Sequence, residues 1–337
     1  MFTRIEAFST TGIGSLPHTN AVEACELVLR TFDIPFWPQL PQISFRESMI
    51  VQYSEGMPFI KVNEQREVIS VMRDDSDELE RFYETCTETA RISISEDYGQ
   101  GLHAFLKMVK GRRFPLLKGH VTGPVTFTLG LKDHQGKLVF FDEELREIAV
   151  MLLKAKVRWQ IDVLKQHADK VIIFIDEPIL SALGSSSYLG VDSGEAFRLI
   201  TDLATAINEA GGISGVHCCG RADWPMVLES GAQIINFDAF EYFDTLAIYH
   251  EQLNKFLGGG GYLAWGIVPT SDVIERVDDC QLKGLMDAHL DELCKYLSAQ
   301  LVRERILITP SCGAGSRSVG ETTKICQLLM RLKEAML

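Results

Sequence analysis

No stretch of this 337-residue chain approaches the roughly 18 consecutive apolar residues of a membrane helix. The opening MFTRIEAFSTTG also lacks the apolar core of a secretory signal. Both absences point to a cytoplasmic protein with no membrane partner. Basic residues are outnumbered, with 33 Lys and Arg against 46 Asp and Glu, and they form no stripe. That excludes the usual electrostatic footprint of a nucleic-acid binder. The resulting net charge of −13 mainly favours solubility. No GxGxxG turn follows the first candidate strand, which argues against a dinucleotide-binding open sheet. No linker or low-complexity run divides the chain, so residues 1–337 are expected to form a single domain. The eight cysteines match no small-domain disulfide pattern. Cys25, Cys280, Cys294 and Cys326 lie in helix-like stretches and read as buried apolar filler.

Short apolar runs alternate with amphipathic segments from one end to the other. Eight runs read as strands: TGIGSLPH, IPFWPQL, FPLLKGHVTGP, VIIFIDEP, ISGVHCC, AQIINFDAF, YLAWGIVP and ILITPSCGAG. Between them the pattern predicts helices at 20–32, within 67–109, and at 142–168, 194–210, 221–230, 242–256, 271–301 and 319–335. Strands separated by helices imply βαβ units and a parallel sheet, and eight such units close a (β/α)8 TIM barrel. Residues 42–66 form a long connection after the second strand, and connections of that length are usually functional, here as a cover for the barrel mouth.

Polar residues follow the apolar part of almost every strand: Gly14 and Ser15, Lys118 and His120, Asp176 and Glu177, His217 to Cys219, Asp238, and Cys312. In an α/β barrel these ends converge on the face that carries active sites. His217 and Cys219, two residues apart on a strand, project to one face, while Cys218 points the other way and reads as packed. With Cys312 they make a thiolate-rich set with one imidazole, which suits zinc. Their spacing is not the two close pairs of a zinc finger but that of a site assembled from separate strands. A fourth ligand could be Asp238 or Glu241, although capping a turn explains Asp238 nearly as well. Asp176 and Glu177 face opposite sides, so one can meet a cation in the pocket while the other ties down a loop.

Together these segments resemble the catalytic barrel of the cobalamin-independent methionine synthases, in the superfamily that includes uroporphyrinogen decarboxylase. TTGIGSLPHT, KGHVTGPVT, IDEP, HCC and PSCG occur in the family's order along almost the whole chain. The resemblance implies a zinc-dependent methyltransferase of methionine biosynthesis whose acceptor is a thiol, homocysteine. It places zinc on His217, Cys219 and Cys312, with Asp238 near the position of the family's glutamate ligand. Ile13, Gly14 and Ser15 would hold the acceptor's amino-acid part and Asp176 its ammonium, with Lys118 and His120 on the same substrate side. The chain departs from the family in three ways. It is one barrel long where full-length synthases have two. PQISF stands where a substrate-binding glutamate is expected, and GIVPTSD lacks the histidine that follows strand seven. The first and third departures favour a methyl-corrinoid or corrinoid protein as donor over methyltetrahydrofolate, which needs a placed acid; His120 is the candidate for that acid. The alternatives are a uroporphyrinogen-decarboxylase-like enzyme, although SLPHTNAVEA carries no arginine for its substrate, and a non-catalytic zinc- or corrinoid-binding subunit of a methyl-transfer complex.

Overall fold

The computed structural model describes residues 5–74 and 77–337. Its strands are β1 (Ser9–Thr10), β2 (Ile60–Asn63), β3 (Val68–Val71), β4 (Phe114–Thr122), β5 (Ala168–Asp176), β6 (Ile213–Cys218), β7 (Ile234–Phe237), β8 (Tyr262–Val268) and β9 (Ile306–Pro310). Seven of them form one parallel sheet in the order β1-β9-β8-β7-β6-β5-β4. Residues 34–39 bridge its two edges as an eighth stave. On one side Ile34 N donates to Thr10 O and Gln39 N to Gly14 O; on the other Trp37 N donates to Lys118 O and Lys118 N to Pro35 O. Every stave therefore has a neighbour on both sides, and helices line the outside, giving the TIM-barrel (β/α)8 architecture.

The two-residue period of the strands sorts the side chains. Leu116, Ile172, Phe174, Ile213, Ile234 and Leu307 meet in a small cluster inside the barrel. Their neighbours Leu117, Ile173, Ile175, Val216, Ile235 and Ile308 join the larger core beneath the helices. By the same alternation the inward side of β4 includes positions 118 and 120, that of β5 position 176, that of β6 position 217, and that of β7 position 236. Capping side chains fix where the helices start. Asp142 accepts from Leu145 N at 3.1 Å, with Glu143 and Glu144 in the first turn of 143–165. Ser318 and Glu321 form a reciprocal capping box at the start of 319–336.

Two segments differ from the sequence expectation. Helices do lie within 67–109, at Glu78–Thr85 and Gln100–Val109, but residues 68–71 pair with 60–63 as an unexpected antiparallel hairpin, joined by a short turn in which Glu67 takes a positive φ of 50°. The alternation in IKVN and VISV is compatible with strands, but no Asn-Gly or Asp-Gly turn announces the hairpin. The connection 42–66 also has structure of its own, with a helix at Met49–Ser54. The helical runs 242–256 and 271–301 are each broken, into 239–247 and 250–258, and into 279–294 and 299–304. Among the described residues no helix is long and apolar enough to cross a membrane.

Candidate active site

The first and last mouth loops are stitched together. Ala314 N donates to Ser15 O at 2.9 Å and Gly315 N to Ser15 Oγ at 3.3 Å. A Cβ on Gly313 would lie 2.2 Å from that hydroxyl, so a larger residue there would turn it away from Gly315 N. The stitch sets Cys312 beside the end of the first stave. Across the mouth, His217 is the second-last residue of β6 and Cys219 follows its end. One ligand atom from each of His217, Cys219 and Cys312 lies within 4.8 Å of the other two.

These three side chains line a cavity of about 420 Å³ together with Ile13, Ser15 and Asp176. Gln39 of the second stave closes another side with Gln42, Ser48 and Met49, so the connection after that stave does reach over the mouth. Gly14, Lys118, His120 and Asp238 are not among the lining residues. The Lys118 ammonium is fully buried lower in the barrel, bonded to the Ile13 carbonyl and 4.4 Å from the Phe174 ring centroid. His120 stacks on Trp37 at 3.8 Å, and neither of its ring nitrogens has a partner among the described residues. Asp238 caps the helix 239–247 by accepting from Glu241 N at 2.9 Å, and Glu241 itself is exposed. Neither belongs to the thiol–imidazole cluster.

No family profile matches the sequence, and no curated protein matches it. Solved structures do. A B12-independent methionine synthase from Shewanella sp. W3-18-1, in complex with selenomethionine, superimposes with a TM-score of 0.63 at 15% identity, over 98% of this chain and 97% of that one. A methyltransferase from Methanosarcina mazei gives a TM-score of 0.53 at 15% identity, over 100% of this chain and 96% of that one. At such identity the likeness is one of fold.

The charged groups of the cavity act on one another. A hydrogen bond from Cys312 holds the Cys219 thiol down at about 4, against the opposing effect of burial, with help from His217. The same bond, together with burial, pushes Cys312 far up. The pair thus behaves as one thiolate and one thiol. Burial raises Asp176 to about 6, opposed by His217 and Lys118, and lowers Lys118 to about 7, opposed by Asp176. Asp176 Oδ1 is buried and has no hydrogen-bond partner among the described residues. An acceptor left without a partner in a polar cavity is suited to an incoming donor.

Glu177, one residue on, does the opposite. It is fully buried on the outer side, accepting from Val125 N at 2.9 Å, Thr126 N at 2.8 Å and Thr126 Oγ1 at 2.6 Å. It therefore anchors the start of the helix 124–130, and Gly123 is glycine because a Cβ would sit 2.1 Å from that carboxyl carbon. This is the loop-tying role expected for one of the two acids. Sequence reasoning missed Gln39, Gln42, Ser48 and Ser316 as lining residues, since nothing in their spacing marks them. It also missed Asn236, whose signal was a lone amide in the apolar run IINF.

Proposed function

We propose that the chain is a zinc-dependent S-methyltransferase that transfers a methyl group to homocysteine, giving methionine, with a methyl-corrinoid or corrinoid protein as donor. The observation that carries the reading is the meeting of His217, Cys219 and Cys312 within 4.8 Å on the wall of a cavity that also contains Asp176. Two cysteines and one histidine form a soft donor set that suits zinc. A zinc ion there would take both cysteines as thiolates and His217 as neutral imidazole, so its uptake would release protons. Zinc bound there would stabilise a substrate sulfur as thiolate, the nucleophilic form.

The chain's own residues would do the rest. The unpartnered Asp176 oxygen would receive the ammonium of an amino-acid thiol. The Ile13–Ser15 stretch, held by Lys118 beneath and by the 313–315 loop beside it, would meet the carboxylate end. The bound sulfur would form its new bond to the methyl carbon, and the electron pair of the cobalt–carbon bond would leave with the corrinoid. That departure needs no proton, whereas a folate nitrogen would. His120, the candidate acid for a folate donor, lies outside the cavity lining, which supports the corrinoid. The cavity lining includes no arginine among the described residues, which weighs against a decarboxylase of polycarboxylate substrates.

The deciding experiment incubates purified, zinc-analysed protein with homocysteine and either methylcobalamin or methyltetrahydrofolate. The expected result is about one zinc per chain and methionine from methylcobalamin. Methionine from the folate alone would overturn the donor assignment. A protein that neither binds zinc nor methylates a thiol from either donor would overturn the whole reading.

A further inference from the structure

Asn236 is fully buried in β7 and faces the barrel interior beside His217. Its amide nitrogen donates to Ala264 O at 2.8 Å and to Thr309 Oγ1 at 2.8 Å, while Oδ1 meets His217 Nδ1. The donor and acceptor roles follow from these partners. A backbone carbonyl can only accept, so the NH2 end of the amide must face Ala264; the reverse orientation would set oxygen against oxygen. Oδ1 is then the atom facing His217, and it too can only accept. The proton of the neutral imidazole must therefore reside on Nδ1, leaving the lone pair on Nε2.

We propose that Asn236 is a positioning residue that holds His217 as the Nδ1–H tautomer, so that Nε2 is the metal-ligating atom facing Cys219 and Cys312. Its value as a ligand rests on the zinc reading above; the tautomer itself does not. A metal-binding histidine is typically oriented through its other ring nitrogen by a carboxylate, a backbone carbonyl or water. Here a neutral side-chain amide does this, and it is itself fixed by β8 and β9. Three neighbouring staves thus set the direction of one imidazole. The neutral partner adds no further negative charge beside Asp176 and the two cysteines.

Two measurements test this. The first uses metal-free protein labelled with 15N-histidine, in reducing buffer at about pH 9, where free imidazole is neutral, with His217→Gln to assign the resonance. A protonated Nδ1 is expected at His217; a neutral ring with its proton on Nε2 alone would overturn the proposal. The second is zinc affinity by chelator competition. Asn236→Leu, similar in size but unable to accept, and Asn236→Ala should weaken binding by about 10–100-fold. Parent-like affinity in a correctly folded leucine or alanine variant would overturn the role. If those variants do not fold, the parent's nitrogen spectrum decides alone. If the parent binds no zinc, the methyltransferase reading fails, while the spectrum still settles the tautomer.

Discussion

The β6–β9 side of the barrel mouth and the β4 side carry similar polar residues in similar sequence settings, yet they do different work. His217, Cys219 and Cys312 come together at the mouth. Lys118 and His120 do not line the cavity, although their segment also looked like a strand end. The difference is depth. β4 continues to Thr122, so at about 3.3 Å per residue Lys118 lies about 13 Å and His120 about 7 Å below its end. β6 stops at Cys218, so His217 and Cys219 straddle its end. A residue type signals chemistry only where the strand stops, and the stopping point is set by the register with neighbouring strands.

Substitutions can break this comparison, and the largest effect is expected on the thiol side. Cys312→Ser and Cys219→Ser should each reduce zinc from about one per chain to a small fraction and abolish thiol methylation, because each removes a ligand. Circular dichroism should show the barrel intact. Full metal retention in either variant would remove that cysteine from the ligand set.

Next comes the acid between the two sides. Asp176→Asn should leave zinc content unchanged and raise KM for homocysteine by about 30-fold or more, the scale of truncating one partner of a buried charge pair. A thiol lacking the ammonium should lose little between parent and variant. Equal losses for both thiols would show that Asp176 does not read the ammonium.

On the β4 side the expected effect is small. His120 makes no side-chain hydrogen bond among the described residues, so replacing it with Leu removes no partnered group. Such an exchange should change stability by less than about 1.5 kcal/mol, in either direction, and leave zinc content as it was. A large loss of metal or turnover would bring His120 back into the chemistry.

The subtlest prediction concerns Glu177. Burial pushes its carboxyl up to about 7, against the opposing hydrogen bonds from Thr126 and Val125. A carboxyl raised on folding favours the protonated folded state. Its contribution to stability is therefore complete below the ordinary value of 4.5 and is lost as pH rises through about 7. The melting temperature of the parent should fall relative to Glu177→Gln over that interval and run parallel to it above. Parallel curves throughout would show that Glu177 titrates normally in the folded protein.

Much of the barrel was legible in the chain. Runs such as VIIFI and the amphipathic segment after Asp142 give their period and caps directly. The hairpin at 60–71 was not legible, because its turn relies on Glu67 at positive φ where Asn or Gly would have signalled it. At the site, the spacing of His217 and Cys219 on one strand face was enough to pair them. Cys312 was legible from its place after the run ILITP; the contact of the following loop with Ser15, which helps hold it at the mouth, was not. The inward Asn236 was hidden for a related reason: its partners lie on β6, β8 and β9, all distant in sequence.

The contact between Ser15 and Gly315 spans 300 residues, which has a consequence for biosynthesis. Synthesis runs from the N-terminus, and contacts between distant residues form late because their loop-closure entropy must be met first. A nascent chain that has released β6 but not β9 already exposes His217 and Cys219, without the third residue of the cluster and with the first stave still lacking β9. The mouth is thus assembled last, once β9 has paired with the first stave.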